Sequence, residues 1–576
     1  MNPNVIASFA LISSLAQKGV KTAVISPGSR STPLAYAVNK LLDVLVVIDE
    51  RDAGFCALGI AESTKKPVVV ITTSGSAPTH LFPSITESFG SSVPLIIISS
   101  DRPHEVRGRG APQTIDQIEL FSTHVQFFLD TPCPTENSDP NYWAGIGAEL
   151  YESAMGTASS MSCPGPAHLN MGFSEHLVPE GGEENYVSEI ISKLASQPIS
   201  KSSFGFTAPT PDVSTPIHKD IEAMISAAKR VLITAGRNAG VEILKSNGLL
   251  VLADVTSGLR HDDQVITCYD SIMRTKNLDE LQPDLIIQIG EPLTSKKFNE
   301  WVCDIKVISI KHSNDGRNPY GNLSEVMVAE KMQETVSTLL DLISENTTFI
   351  RLWSAAEVSV KKIIDSKIID NTKSEPALFF ELGKTVANID SPINVLLGSS
   401  MPIRYCEWFW SKLKKNSSVY SHRGTNGIDG ILSSTLGIAY GTKRVTICVC
   451  GDLTFAHDIG FLSHCVALSK QLDLKIIFVV VDNNGGAIFK HLPQGQSKEL
   501  AESYSKLIAT PTSINFEALA LACGAKYKSF DIEDIQQERS DFFDIDEVGT
   551  TLLHAKVQYD SGYEFMKELD KDLGDI

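Results

Sequence analysis

The sequence predicts an α/β protein built from three doubly wound, mainly parallel-sheet domains. Three observations predict it. Short β-branched runs recur along the chain with helical stretches between them, the runs are apolar throughout rather than alternating, and they end in loops rich in Gly, Ser and Pro. A strand buried on both faces reads as a continuous hydrophobic run, which is the mark of a parallel sheet covered by helices. At roughly 100–200 residues per domain, 576 residues suffice for three or four domains.

In chain order, residues 5–17 carry a helical apolar period. Strand-like runs follow at 22–25, 44–48, 68–73 and 95–99, separated by helical stretches at 53–62 and 81–89. The loops after them are Ser26-Pro27-Gly28-Ser29-Arg30, Ser74-Gly75-Ser76 and Ser100-Asp101-Arg102-Pro103. Ligands of open α/β sheets sit at the carboxyl ends of strands, so chemistry is expected at these loops. A Ser-, Pro- and Thr-rich linker is expected over 196–216. The middle third has strand-then-Gly turns after 231–234 and 285–289, but their spacing is not G-x-G-x-x-G. A polar stretch at 361–376 reads as a second boundary, and strands at 395–397, 445–449, 476–481 and 551–557 complete the chain. The expected domains are therefore 1–195, 196–360 and 361–576.

Composition excludes several classes. The chain has 50 Lys plus Arg against 69 Asp plus Glu, a net charge of −19. That argues against a protein that coats nucleic acid and against a polybasic membrane binder, while leaving room for local basic clusters. No apolar run approaches the ~18–20 residues needed to span a bilayer, and Met1-Asn2-Pro3-Asn4 does not open a signal peptide. Ten scattered cysteines form no C-x-x-C pair and read as small core residues of a reduced compartment. The expectation is a soluble, cytoplasmic protein.

The chemistry concentrates at two strand ends. One apolar strand ends in Val449-Cys450-Gly451-Asp452-Leu453 and the next in Asp482-Asn483-Asn484-Gly485-Gly486. Asp452 and Asn483 are 31 positions apart, about one strand–helix–strand unit. A carboxylate, an amide oxygen and a backbone carbonyl at Gly485 are hard oxygen ligands, suited to Mg²⁺ with positions left for diphosphate. As plain structure, Asp452 would cap a helix and Asn-Asn-Gly-Gly would be a turn; the two together favour the metal–diphosphate site.

This pair resembles the thiamine-diphosphate motif, Gly-Asp-Gly followed some thirty residues on by Asn-Asn, with Leu453 in place of the third residue. The resemblance implies thiamine diphosphate with Mg²⁺ or Mn²⁺ held by Asp452, Asn483 and Gly485. It also requires a shielded carboxylic acid from another domain, which hydrogen-bonds the aminopyrimidine. Given the Asp452 and Asn483 pair, Glu50, in Ile48-Asp49-Glu50-Arg51, is the best candidate; in isolation an ion pair with Arg51 would be the better explanation.

The loops Ser26-Pro27-Gly28-Ser29-Arg30-Ser31-Thr32-Pro33, Asp49-Glu50-Arg51, Thr72-Thr73-Ser74-Gly75, Asp101-Arg102-Pro103, Ala111-Pro112-Gln113 and Ser421-His422-Arg423-Gly424 narrow the family. So do Gly427-Ile428-Asp429-Gly430 and Asn483 through Phe489. They are similar, in order, to the 2-succinyl-5-enolpyruvyl-6-hydroxy-3-cyclohexene-1-carboxylate synthases of menaquinone biosynthesis. The resemblance implies the thiamine-enzyme architecture and a decarboxylating addition of 2-oxoglutarate to isochorismate. It places Ser29, Arg30, Arg102, Gln113 and Lys296 on the isochorismate side, with Lys297 where some relatives carry Arg. Ser400, Arg404 and Arg423 fall near the cofactor and the succinyl group. Ile428 supports the bent cofactor; Leu453 and Ile488 line it, and Ile488, Phe489 and Leu492 form an apolar wall. Two polyanionic substrates require fixed cations, and Arg binds carboxylates with both donors of its fork. Glu50 and Asp452 would reach one cofactor from two subunits, so a homodimer or homotetramer is implied. The alternatives are another thiamine-dependent 2-oxo acid decarboxylase or acetolactate-type synthase, and a catalytically silent α/β binding subunit.

Overall fold

The computed structural model describes residues 2–157, 163–179, 181, 188–189, 192, 217–240, 248–312, 321–329, 331–538 and 541–576. The linker expected over 196–216 lies outside the described residues. The chain divides into two compact units. Unit 1 comprises 1–211, 422–443 and 458–468; unit 2 comprises 212–421, 444–457 and 469–576.

Unit 1 is built on a six-stranded parallel sheet. Its strands are β1 (Thr22–Ile25), β2 (Asp43–Val46), β3 (Val68–Thr72), β4 (Leu95–Asp101), β5 (Phe127–Thr131) and β6 (Pro166–Gly172), in the order β2-β1-β3-β4-β6-β5. β3 and β4 are buried along their whole length, as the apolar runs that open them predict, and β4 also buries the polar Ser99, Ser100 and Asp101 at its end. β2 departs from that expectation: it is an edge strand, and Val46 and Ile48 are 46 % and 71 % exposed. β6 escapes an apolar-run reading because it carries His168 and Asn170. Both are fully buried, and the Ser99 hydroxyl contacts both, His168 Nε2 at 2.7 Å and Asn170 Oδ1 at 2.9 Å. A buried polar group is tolerated when it is paired in this way.

The helix Glu50–Thr64 packs on the helix Ile431–Thr442. The approach is close enough to require glycine. A Cβ on Gly59 would lie 2.3 Å from the Ser434 carbonyl oxygen, and one on Gly437 would lie 2.1 Å from that of Cys56.

Unit 2 holds two parallel sheets. The first contains β7 (Val231–Ala235), β8 (Val251–Ala253), β9 (Leu285–Ile289), β10 (Lys306–Lys311) and β11 (Leu323–Val328), in the order β11-β10-β9-β7-β8. The second contains β12 (Ile393–Leu397), β13 (Ser418–Tyr420), β14 (Val445–Gly451), β15 (Lys475–Asp482), β16 (Lys526–Ser529) and β17 (Gly549–Lys556), in the order β13-β12-β14-β15-β17-β16. One hydrophobic core serves both, joining Leu232, Leu252 and Ile286 to Val395, Ile447 and Val479. A buried ion pair between Arg260 and Glu407 reinforces it, and Arg260 also donates to the carbonyls of Ala253, Glu407 and Trp410.

The segment 361–376, read from composition as a boundary, contains the second half of the helix Thr347–Asp370 and the start of the helix Glu375–Asn388. Its charged residues lie on a helix whose buried stripe is Val360, Ile364 and Ile368, four apart. Among the described residues the cysteines are all free, and Cys448 and Cys450 are both buried in β14.

Candidate active site

In unit 2, β14 and β15 run side by side, with Gly451 opposite Val481. Each strand ends in an acid. Asp452 opens the helix Asp452–His457 and is 2 % exposed. Its Oδ1 accepts from the Leu453 N–H at 2.8 Å and its Oδ2 from the Gly485 N–H at 2.7 Å. Asp482 accepts from the Asn484 N–H at 2.9 Å and sits 3.0 Å from His554 Nε2. The two carboxyls lie within hydrogen-bonding reach of each other. Burial, followed by the charge of Asp482, pushes Asp452 up to about 7. Burial also acts upward on Asp482, but His554 and the Asn484 N–H outweigh it and hold Asp482 below its ordinary value.

Asn483 completes this cluster. Its Nδ2 donates to both carboxyl oxygens of Glu375 at 3.3 Å, which turns Oδ1 the other way, where it is buried without a partner. A buried acceptor left unpaired is costly. Asp452 and the Gly485 carbonyl are further oxygen acceptors of the same two strand ends. The Gly485 carbonyl accepts one bond, from the Ala487 N–H at 2.9 Å, and keeps a second lone pair. Gly485 has φ +134°, and a Cβ there would lie 2.4 Å from the Ala509 carbonyl oxygen, so only glycine serves. Among the described residues no three His, Cys, Asp or Glu side chains gather as a metal cluster. The donor set is mixed carboxylate, amide and carbonyl oxygen, and it fits Mg²⁺ better than a soft metal.

Ser400, between β12 and the helix Met401–Phe409, has φ +74° and ψ −131°, a strained setting for a residue with a side chain. Arg404 donates to its carbonyl, and the neighbouring Ser399 hydroxyl is buried without a partner. Ile488 packs against the unit's core, Phe489 is partly buried and Leu492 is 40 % exposed. Leu453 is half-buried and contributes its backbone N–H. Lys296 and Lys297 are exposed at the start of the helix Lys296–Trp301, where Lys296 pairs with Glu300 at 3.4 Å.

In unit 1, Glu50 is the first residue of the helix Glu50–Thr64, capped by Asp49, whose side chain accepts from the Arg51 N–H. It is half-buried, and burial is the chief cause that raises its carboxyl above the ordinary value. Its neighbour Arg51 is paired elsewhere, with Asp458 at 3.1 Å and Asp52 at 3.7 Å. Ile428, half-buried, precedes Gly430, whose φ is +67° and where a Cβ would overlap the Phe55 ring at 1.9 Å. His422 stacks on Phe55 and contacts the Ser434 hydroxyl at 2.9 Å, a structural role. Arg423 is half-buried, and the next two N–H groups, of Gly424 and Thr425, donate to Glu87.

The carboxyl edge of the unit 1 sheet is a buried polar cradle. The hydroxyls of Ser26, Thr72, Thr73 and Ser100 are buried without hydrogen-bond partners at the ends of β1, β3 and β4. Ser29 is exposed on the first loop. Arg30 is buried, donating to the Phe173 carbonyl at 2.8 Å and to Glu175 at 3.0 Å, with Nε unpartnered. Arg102 is half-buried and its Nε is also unpartnered. Gln113 has φ +55° and donates to the Ser74 carbonyl at 3.2 Å. Ser29, Arg30, Arg102 and Gln113 thus belong to one edge of one sheet.

Four acids at these sites carried no signal in the sequence: Glu375, Asp458, Glu87 and Asp52. Each meets partners far along the chain, and only Asp52, two residues after Glu50, lies near a motif that spacing could have flagged.

Residues 7–120 match the thiamine pyrophosphate enzyme N-terminal TPP binding domain, and residues 406–555 match the C-terminal TPP binding domain. A 2-succinyl-5-enolpyruvyl-6-hydroxy-3-cyclohexene-1-carboxylate synthase of Listeria welshimeri is 32 % identical over 567 residues, covering 92 % of this chain and 90 % of that protein. Proteins of the same name are 31 % identical in Staphylococcus saprophyticus, over 99 % of this chain and 97 % of that one, and 30 % identical in Bacillus pumilus, over 100 % and 98 %.

Proposed function

Because the chain belongs to the family of 2-succinyl-5-enolpyruvyl-6-hydroxy-3-cyclohexene-1-carboxylate synthases, thiamine-diphosphate enzymes, we propose that it joins 2-oxoglutarate to isochorismate with loss of CO₂. The observation that carries the site assignment is the unpartnered Asn483 Oδ1 beside Asp452 at the ends of two neighbouring strands. When bound, thiamine diphosphate supplies a carbon nucleophile and an electron sink for the decarboxylation.

The chain's own residues do the rest. Asp452, Asn483 and the Gly485 carbonyl hold Mg²⁺, or Mn²⁺, and through it the diphosphate. Glu50 carries a proton for the aminopyrimidine ring nitrogen, a role suited to a carboxyl that burial raises above its ordinary value. Ile428, Leu453 and Ile488 pack on the cofactor. Ser29, Arg30, Arg102 and Gln113 bind isochorismate, the arginines meeting its carboxylates, with Lys296 and Lys297 adding positive charge. Ser400, Arg404 and Arg423 orient the 2-oxo acid. Phe489 and Leu492, with Ile488, exclude water and lower the local dielectric, which strengthens each of these electrostatic contacts.

We assign the active form to a homodimer, or a dimer of such dimers, in which Glu50 of one subunit serves the cofactor held by Asp452 of the other. No helix among the described residues is long and apolar enough to cross a membrane, and the proposed setting is the cytoplasm. The expected domain limits, 1–195, 196–360 and 361–576, are retained as part of this reading.

The test is incubation with thiamine diphosphate, Mg²⁺, 2-oxoglutarate and isochorismate, with the product identified by mass. The adduct formed only when both substrates are present supports the assignment; turnover of pyruvate in place of 2-oxoglutarate points to the acetolactate-type alternative. Mixing Glu50→Gln chains with Asp452→Asn chains tests the shared site, because only mixed dimers would recover one intact centre.

A further inference from the structure

The first turn of the helix Glu50–Thr64 carries one base among acids: Asp49, Glu50, Arg51 and Asp52. Sequence proximity pairs Arg51 with Glu50. The structure pairs it otherwise. Arg51 Nη2 lies 3.1 Å from Asp458 Oδ1 and 3.7 Å from Asp52 Oδ1, and the two carboxyls are 0 % and 5 % exposed. Asp458 is fixed from its other side. Its Oδ2 accepts from the N–H groups of Leu432 at 2.8 Å and Ser433 at 3.2 Å, and from the Ser433 hydroxyl at 3.3 Å. These are free N–H groups in the first turn of the helix Ile431–Thr442, where a negative charge is favoured. The groups that act on Glu50 itself are its burial, its own backbone, His80 and Asp49.

A guanidinium placed against a carboxyl lowers its pKa by roughly 1–3 units. Arg51 is adjacent in sequence and long enough to reach Glu50, and a Glu50 so paired would lose the proton that the proposed role requires. We propose that Asp458 is a positioning residue that holds the Arg51 guanidinium away from Glu50, leaving the Glu50 carboxyl to share a proton with the aminopyrimidine rather than pair with that guanidinium. This rests on the assignment of Glu50 made above. Asp458 also ties the acid's helix to the first turn of the helix Ile431–Thr442, which follows Ile428 in the chain.

The experiment compares wild type, Asp458→Asn, Arg51→Met and the double variant. Two quantities are read: the titration of Glu50 in cofactor-free protein, by ¹³C NMR with carboxyl-labelled glutamate and Glu50→Gln to identify the signal, and the pH profile of the loaded enzyme. Asp458→Asn should lower the Glu50 titration by about one unit or more and shift the alkaline limb of turnover the same way, giving about tenfold less turnover above it. Adding Arg51→Met should restore both. A loss of turnover in Asp458→Asn that leaves the Glu50 titration in place, or that Arg51→Met fails to rescue, would mean a merely structural role and overturn the proposal. Arg51→Met alone keeps the test open if Asp458→Asn does not fold. It should leave the Glu50 titration where it is in wild type; a rise of a unit would show that Arg51 already acts on Glu50, and the proposal would fail. A wild-type enzyme that forms no adduct would count against the functional assignment, while the NMR titration still decides the question of Arg51.

Discussion

Glu50 and Asp452 use the same local device in two regions of the molecule. Each is the first residue of a helix that follows a parallel strand, and burial raises the carboxyl in both. Their surroundings differ. Asp452 stands among acceptors: Asp482, the unpartnered Asn483 oxygen and the Gly485 carbonyl, with no cationic side chain bonded to it among the described residues. Glu50 stands half-buried beside an arginine whose charge is spent on other acids. Raised carboxyls therefore carry no single meaning. One is surrounded by oxygen acceptors, while the other has its neighbouring guanidinium paired with different acids.

The largest effect expected from this contrast is on turnover. Glu50→Gln should reduce it by about 10²–10⁴-fold, the range for loss of a general acid–base group, while binding of Mg²⁺ and cofactor stays within a few-fold. Asp452→Asn should do the reverse. Metal affinity, read by Mn²⁺ titration with electron paramagnetic resonance, should fall by at least about 10–100-fold, the scale already seen when outer-shell partners of a metal ligand are removed. Equal losses of metal binding in both variants would erase the distinction between the two acids.

The sequence made the two strand ends legible because β3, β4, β14 and β15 are each built on a mainly apolar run and because Asp452 and Asn483 are one strand–helix–strand unit apart. It hid what depends on contacts distant in the chain. β6 is a central strand, yet Asn170 and the Nε2 of His168 find partners in Ser99, Gln117, Asp101 and Asp130 rather than being excluded from the core. Glu375 lies 108 positions from the Asn483 it orients, and Asp458 lies 407 positions from Arg51. No local period encodes such pairs. The polar stretch 361–376 conceals a helical period, with Ile364 and Ile368 on the buried face beneath a surface of Lys and Asp.

A smaller effect separates the acid cluster around Glu50 from the metal cage. Burial, then the charge of Asp458, pushes Asp52 up to about 8. Between the ordinary carboxyl range, about 4, and that value, native Asp52 holds a proton that the unfolded chain has released. Stability conferred in this way is fully present below the lower limit and is lost as pH rises towards 8. Cofactor-free wild type should therefore melt at a lower temperature at pH 8.5 than at pH 5, and Asp52→Asn should reduce that difference by roughly 2–4 °C, the shift expected per kcal/mol for a unit of this size. Added Mg²⁺ should leave the difference between wild type and Asp52→Asn unchanged, because the proposed metal site does not include Asp52. An Asp52→Asn profile parallel to wild type would remove Asp52 from the titrating groups.

The smallest expected effect concerns Leu453, where the general thiamine motif has glycine. Its bond to the cage is its backbone N–H, donated to Asp452 Oδ1 at 2.8 Å, and a glycine donates the same bond. Leu453→Gly should therefore leave Mg²⁺ affinity within about twofold, less than 0.5 kcal/mol at RT of about 0.59 kcal/mol. Its cost should appear in stability, as the roughly 0.5–1 kcal/mol that a helical glycine loses in backbone freedom. A tenfold loss of metal binding in this variant would show that the leucine side chain, and not the backbone alone, shapes the cage. The contrast with Glu50 would then have to include an apolar wall on the metal side as well as the oxygen donors.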